Sequence, residues 1–148
     1  MGSNLHSIKI LLVEDNEGHA VLIKDNLREG RIANEIIDAR DGQEALDYLF
    51  RVGKYENLKG TPLPGLILLD INLPRVDGYG VLQQLKADER LKHIPVIMLT
   101  STDDPTEVSR CYNLGAASYI TKPVPYDALQ ERVRTLGLFL EIVTLPSL

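Results

Sequence analysis

Apolar residues fall along this chain in five short blocks separated by longer stretches of helical spacing. Residues 8–13 (Ile-Lys-Ile-Leu-Leu-Val), 66–69 (Leu-Ile-Leu-Leu) and 96–99 (Val-Ile-Met-Leu) are almost unbroken. Runs without polar alternation predict parallel strands covered on both faces. Residues 35–39 and 118–121 are more mixed and predict strands nearer the edges. Between them, Ala20, Ile23 and Leu27 mark one face of a first helix, and Ala45, Leu46, Leu49 and Phe50 one face of a second. Val81, Leu82 and Leu85 mark a third, Val108, Cys111, Tyr112 and Gly115 a fourth, and Leu129, Val133, Leu136 and Leu140 a fifth. The fourth carries a start signal: Asp104 to cap, Pro105 in the first turn and Glu107 at capping-box spacing. The fifth opens around Val124-Pro125. Strand and helix alternate throughout, which predicts an α/β fold: a doubly wound, five-stranded parallel sheet with helices on both faces. The longest connection, residues 52–64, reads as an inserted loop rather than a domain boundary.

Composition narrows the function classes. With 148 residues, 44% of them hydrophobic, the chain can bury one sizeable core. Sixteen Lys and Arg against twenty-one Asp and Glu leave a net charge of −5, a poor basis for binding nucleic acid or an anionic membrane. Cys111 is the only cysteine, so no internal disulfide can form, which suits a cytoplasmic protein. No signal peptide or transmembrane stretch is read. Residues 1–7 read as a flexible N-terminus and 8–148 as one domain.

In doubly wound sheets, sites form outside the carboxyl ends of the strands. Glu14 and Asp15 follow the first strand, Asp70 and Asn72 the third, Thr100 and Ser101 the fourth, and Lys122 and Pro123 the fifth. Taken singly, each has a plain explanation as a turn, cap or surface residue. Together, at successive strand ends, they form a set suited to phosphoryl transfer onto a carboxylate. Asp15 and Asp70 offer hard oxygen ligands for Mg²⁺. Asp70 is the candidate nucleophile, yielding an aspartyl phosphate. Lys122 and the metal neutralise charge on the transferring group, and the Thr100 hydroxyl can hydrogen-bond a phosphoryl oxygen.

These residues carry a family resemblance. Ile-Leu-Leu-Val-Glu14-Asp15-Asn16, Leu-Leu-Asp70-Ile-Asn72-Leu-Pro74-Arg-Val-Asp77-Gly78, Leu-Thr100-Ser101, Gly115-Ala116-Ala117-Ser-Tyr119 and Lys122-Pro123 resemble the receiver domain of two-component response regulators across residues 9–140. The resemblance implies the flavodoxin-like receiver fold, with Asp70 as phosphoacceptor. It implies Asp15 as a direct metal ligand, Glu14 acting through water, and the Asn72 backbone carbonyl completing the protein's share of the shell. It further implies Thr100 and Tyr119 as a switch pair, a phosphoryl contact from Lys122 and a cis Lys122-Pro123 bond. The partner implied is a sensor histidine kinase. The protein would be a signalling phosphoacceptor rather than a turnover enzyme, with no separate output domain. The long loop, the Asp70-Ile-Asn72-Leu-Pro74 wording and the C-terminal residues are similar to those of small regulators paired with phytochrome-type kinases. Val124-Pro125 departs from the family, where a capping Asp or Ser is commoner at the start of the fifth helix.

The main alternative is a haloacid-dehalogenase-type phosphatase. That class places its nucleophile after the first strand, with a second acid two positions on; here the position two beyond Asp70 is Asn72. A dinucleotide-binding domain lacks its glycine-rich turn after the first strand, and a pseudo-receiver would lack residues that are present. Finally, Leu136, Leu138, Phe139, Leu140, Ile142, Val143 and Leu145 make residues 136–148 apolar all round. Such a segment should be buried. The favoured reading is a homodimer through the fourth and fifth helix region and this tail; the alternatives are a tail that turns back after Gly137 onto its own sheet and a kinase-docking surface.

Overall fold

The computed structural model describes residues 8–125 and 127–136. Five strands, β1 (Ile10–Val13), β2 (Ile36–Ala39), β3 (Leu66–Asp70), β4 (Val96–Thr100) and β5 (Ser118–Thr121), alternate with α1 (Glu17–Glu29), α2 (Gly42–Phe50), α3 (Gly78–Lys86), α4 (Pro105–Asn113) and α5 (Ala128–Leu136). All pair in parallel, in the order β2-β1-β3-β4-β5. The unbroken apolar strands β1, β3 and β4 are the three central ones, and every residue in them is buried. The more mixed β2 and β5 are the edges.

Period-two alternation divides the strand residues between two apolar layers. Leu11, Val13, Ile67, Leu69, Val96 and Met98 pack with side chains from α2 and α3. Ile10, Leu12, Leu66, Leu68, Ile97, Leu99 and Ile120 pack with Ala20, Ile23 and Leu27 of α1 and Ala128 and Leu129 of α5. The polar residues after the strands start the helices. Asn16, Asp41, Asp77 and Asp104 each cap the helix that follows, accepting a backbone N–H with the side chain.

Several local expectations are corrected. On α4 only Cys111 is fully buried; Tyr112 is 45% exposed and Gly115 lies beyond the helix end. Asp104 caps α4, but Glu107 does not close a capping box. Its carboxylate accepts the Tyr79 hydroxyl at 2.8 Å, while the Asp104 N–H goes to Thr102. The 52–64 connection contains a 3-10 helix, Gly53–Leu58. The fifth helix starts at Ala128, not at Val124-Pro125. Val124 is instead a core residue, 3% exposed in the α1–α5 layer, which explains an apolar side chain where a cap is commoner. The side chains of Val133, Leu136 and Leu140, and residues 1–7 and 137–148 with the apolar tail, lie outside the described residues.

Candidate functional site

Register, more than proximity in sequence, assembles the site. Val13 pairs with Leu69, so Glu14 emerges level with Asp70; Asp70 pairs with Leu99, and Thr100 with Thr121. The residues after β1, β3, β4 and β5 therefore rise from one edge of the sheet. They border a cleft of about 470 Å³ that Glu14, Asp15, Asp70, Asn72, Ser101 and Lys122 share.

At its centre the Lys122 Nζ lies 2.8 Å from Glu14 Oε1 and 3.2 Å from Asp70 Oδ1. Glu14 is 1% exposed and Asp70 4%, whereas Asp15 faces solvent. Burial, and then the charge of Glu14, push the Asp70 carboxyl up to about 6 against the opposing pull of Lys122. Burial alone would lower the Lys122 ammonium, but its hydrogen bond to Glu14 and the Asp70 charge outweigh this, and its pKa is raised. Lys122 is therefore a fixed cation, and Asp70 is a carboxylate that a positive charge would stabilise. The backbone beneath Asp70 is closed by Gly78: a Cβ there would come within 2.4 Å of the Asp70 carbonyl oxygen. The Lys122-Pro123 peptide bond is cis.

Oxygen atoms of Glu14, Asp15 and Asp70 all lie within 4.8 Å of one another. One lysine partly balances three acids here, and the donors are hard oxygens. Both features fit a divalent cation.

Two expected residues sit differently from the acids and the lysine. Thr100 is buried at 4% but does not line the cleft. Its Oγ1 donates to the Thr102 carbonyl at 3.0 Å and accepts the Thr102 N–H at 3.1 Å. Tyr119 lies on β5, half-buried, its ring edge-on to Tyr112 with centroids 6.0 Å apart. Sequence reasoning missed His19. Its Nδ1 stands 3.4 Å from Lys122 Nζ and 4.0 Å from Glu14 Oε1. The signal was present, since Asn16 caps α1 by accepting the His19 N–H and so turns the first turn back over the acidic pair. Leu22, Ile23 and Val124 add an apolar wall to the cleft; of these, helical spacing marks Ile23 alone, as a core residue.

Comparison with known proteins places the geometry among relatives. The family model for the response regulator receiver domain matches residues 10–134. Response regulator Rcp1 of Synechocystis sp. is 41% identical over 139 residues, covering 93% of this chain and 92% of that protein. The solved structure of the bacteriophytochrome response regulator AtBRR shares 42% identity with a TM-score of 0.83, covering 95% of this chain and 99% of that one. The Mn²⁺-bound form of Rcp1 shares 39% identity with a TM-score of 0.73, over 95% of this chain and 99% of that one.

Proposed function

The chain belongs to the response regulator receiver family of two-component signalling, and from that premise we propose that Asp70 accepts a phosphoryl group from a sensor histidine kinase. The observation that carries this reading is the Lys122 ammonium held between the buried carboxylates of Glu14 and Asp70. The Asp70 carboxyl is pushed up to about 6, still below neutral pH, so the carboxylate form is available as a nucleophile. Its oxygen attacks phosphorus, the P–N bond to the donor histidine breaks, and the electron pair leaves with the imidazole. Lys122, already 3.2 Å from Asp70 Oδ1, then meets the new phosphoryl oxygens. Asp15 and Asp70, the Asn72 backbone carbonyl and, through water, Glu14 would hold Mg²⁺. When bound, that ion supplies the positive charge that offsets the acids and the incoming phosphoryl group.

Thr100 and Tyr119 form the proposed switch. To reach a phosphoryl oxygen, the Thr100 hydroxyl must give up Thr102, which moves the β4–α4 loop. The vacated space would let the Tyr119 ring turn inward from Tyr112. This biases the face made by α4, β5 and α5 between two arrangements.

The names of the bacteriophytochrome regulators support a phytochrome-type kinase as the partner. The apolar composition of residues 136–148 and the exposed Tyr112 support a homodimer through the α4–α5 region and the tail. Among the described residues no helix is long and apolar enough to cross a membrane, which is consistent with a cytoplasmic protein.

The test is intact mass after incubation with Mg²⁺ and a small phosphodonor. One added phosphoryl group is expected, retained for a time, and absent in Asp70→Asn. Full labelling of Asp70→Asn would refute the assignment. Catalytic phosphate release from many esters would favour the haloacid-dehalogenase-type alternative.

A further inference from the structure

The connection from α2 to β3 and the connection from α3 to β4 meet at the amino ends of the strands, opposite the Asp70 cleft. Between them is a cavity of about 530 Å³, bordered by Phe50, Arg51, Lys59, Thr61, Leu63 and Arg90. Three of these are cations, and no carboxylate lines the cavity. In a chain with a net charge of −5, such a grouping runs against the average.

Arg51 is 3% exposed. Its guanidinium donates to the carbonyls of Tyr48 and Pro62 at 2.7 and 2.9 Å and to Thr61 Oγ1 at 3.3 Å, and it lies 4.6 Å from the Tyr48 ring centroid. Every acceptor is neutral. The Arg51 Nε is the one buried side-chain polar atom without a hydrogen-bond partner among the described residues. Burying a guanidinium without a counter-charge is unfavourable. Lys59 and Arg90 are exposed at the mouth and form no ion pair among the described residues, whereas Lys54 and Lys92 both do. A purely structural role, stitching the loop to α2, accounts for the Arg51 bonds to Tyr48 and Pro62. It does not account for a buried cation without a counter-charge sharing one cavity with two further cations that form no ion pair among the described residues.

We propose that this cavity binds a small phosphate-bearing molecule. Arg51, Lys59 and Arg90 supply the positive field, and Phe50 and Leu63 supply an apolar wall for the rest of the ligand. Three positive charges match a multiply charged phosphoryl group better than a single carboxylate. The volume falls in the range of small-molecule sites. Arg51 is pre-positioned by its own hydrogen bonds, so little ordering is lost on binding.

Inorganic pyrophosphate is the probe, titrated into the ¹⁵N-labelled full chain without divalent cations. Saturable shifts are expected at the backbone amides of Arg51, Lys59, Gly60, Thr61 and Arg90, with a Kd below about 1 mM. None is expected at Asp15 or Asp70. The Lys59→Gln/Arg90→Gln double variant, altered only at exposed side chains, should bind at least about tenfold more weakly. Lys54→Gln, which removes a nearby cation already paired with Glu44, should bind as the parent does. Failure to saturate, shifts reproduced by sodium chloride at equal ionic strength, or equal weakening by Lys54→Gln would each overturn the proposal.

Discussion

Asp70→Asn should stabilise the metal-free protein at neutral pH even as it removes the proposed phosphoacceptor. Asp70 is 4% exposed, and its pKa rises from an ordinary 3.8 to about 6, through burial first and the Glu14 charge second. Because the folded value lies above the unfolded one, the native state holds the extra proton between about pH 4 and pH 6. Stability from this group is therefore fully present at low pH and is lost as pH rises through about 6. The full rise corresponds to about 3 kcal/mol. The carboxylate borders a cleft open to solvent, and screening there lowers the expected gain to about 1–2 kcal/mol. Lys122 keeps Glu14 at 2.8 Å, so the substitution does not leave that ammonium unpaired. Urea unfolding in a chelator, followed by circular dichroism, gives the comparison. At pH 8 the variant midpoint should rise without a change in slope. At pH 4 the two proteins should differ little. Mg²⁺ should then raise the stability of the wild type more than that of the variant, in which a neutral amide replaces the carboxylate of a proposed ligand. A variant less stable than wild type at pH 8, or a gain of equal size at both pH values, would refute the reasoning.

Thr100→Ala removes both hydrogen bonds to Thr102. It should cost about 1 kcal/mol in denaturant midpoint and still label with a phosphodonor. Pull-down of the kinase partner should no longer distinguish the two phosphorylation states, whereas retained discrimination would count against the switch. Gly42→Ala places a Cβ 1.8 Å from the Val76 carbonyl oxygen and should destabilise by about 2–3 kcal/mol, read as a lower melting temperature. Phe139→Asp and Ile142→Asp should convert a dimer to monomer in sedimentation at micromolar concentration. A parent that sediments as a monomer in both phosphorylation states would remove the dimer.

Much of the fold is written locally. β1, β3 and β4 are unbroken aliphatic runs because both faces of a central parallel strand are covered, and the weaker β2 and β5 sit at the edges for the same reason. Asn16, Asp41, Asp77 and Asp104 cap helices through bonds spanning two or three residues, an interaction visible in the chain itself. The residue types of the candidate site were legible as well, because each follows a recognisable strand. Tertiary structure decided which of those groups meet. The Lys122 ammonium reaches Glu14 across 108 positions only because β1, β3, β4 and β5 align in one register. That alignment is also what raises the Asp70 pKa, since a carboxyl has no reason to titrate high until burial and a second acid surround it. Glu107 had the spacing of a capping box, but the packing of α3 beside α4 offered it the Tyr79 hydroxyl instead. Tyr112 had the spacing of a core residue and is exposed, since one covered stripe on α4 is filled by Cys111. Arg51 gave no sign in sequence of being a buried cation. Its desolvation follows from the left-handed turn after α2, which brings Tyr48, Thr61 and Pro62 around one guanidinium. Spacing along the chain encodes burial and capping, which act over a few residues. Contacts between distant segments depend on strand order and helix packing, which only the assembled core sets.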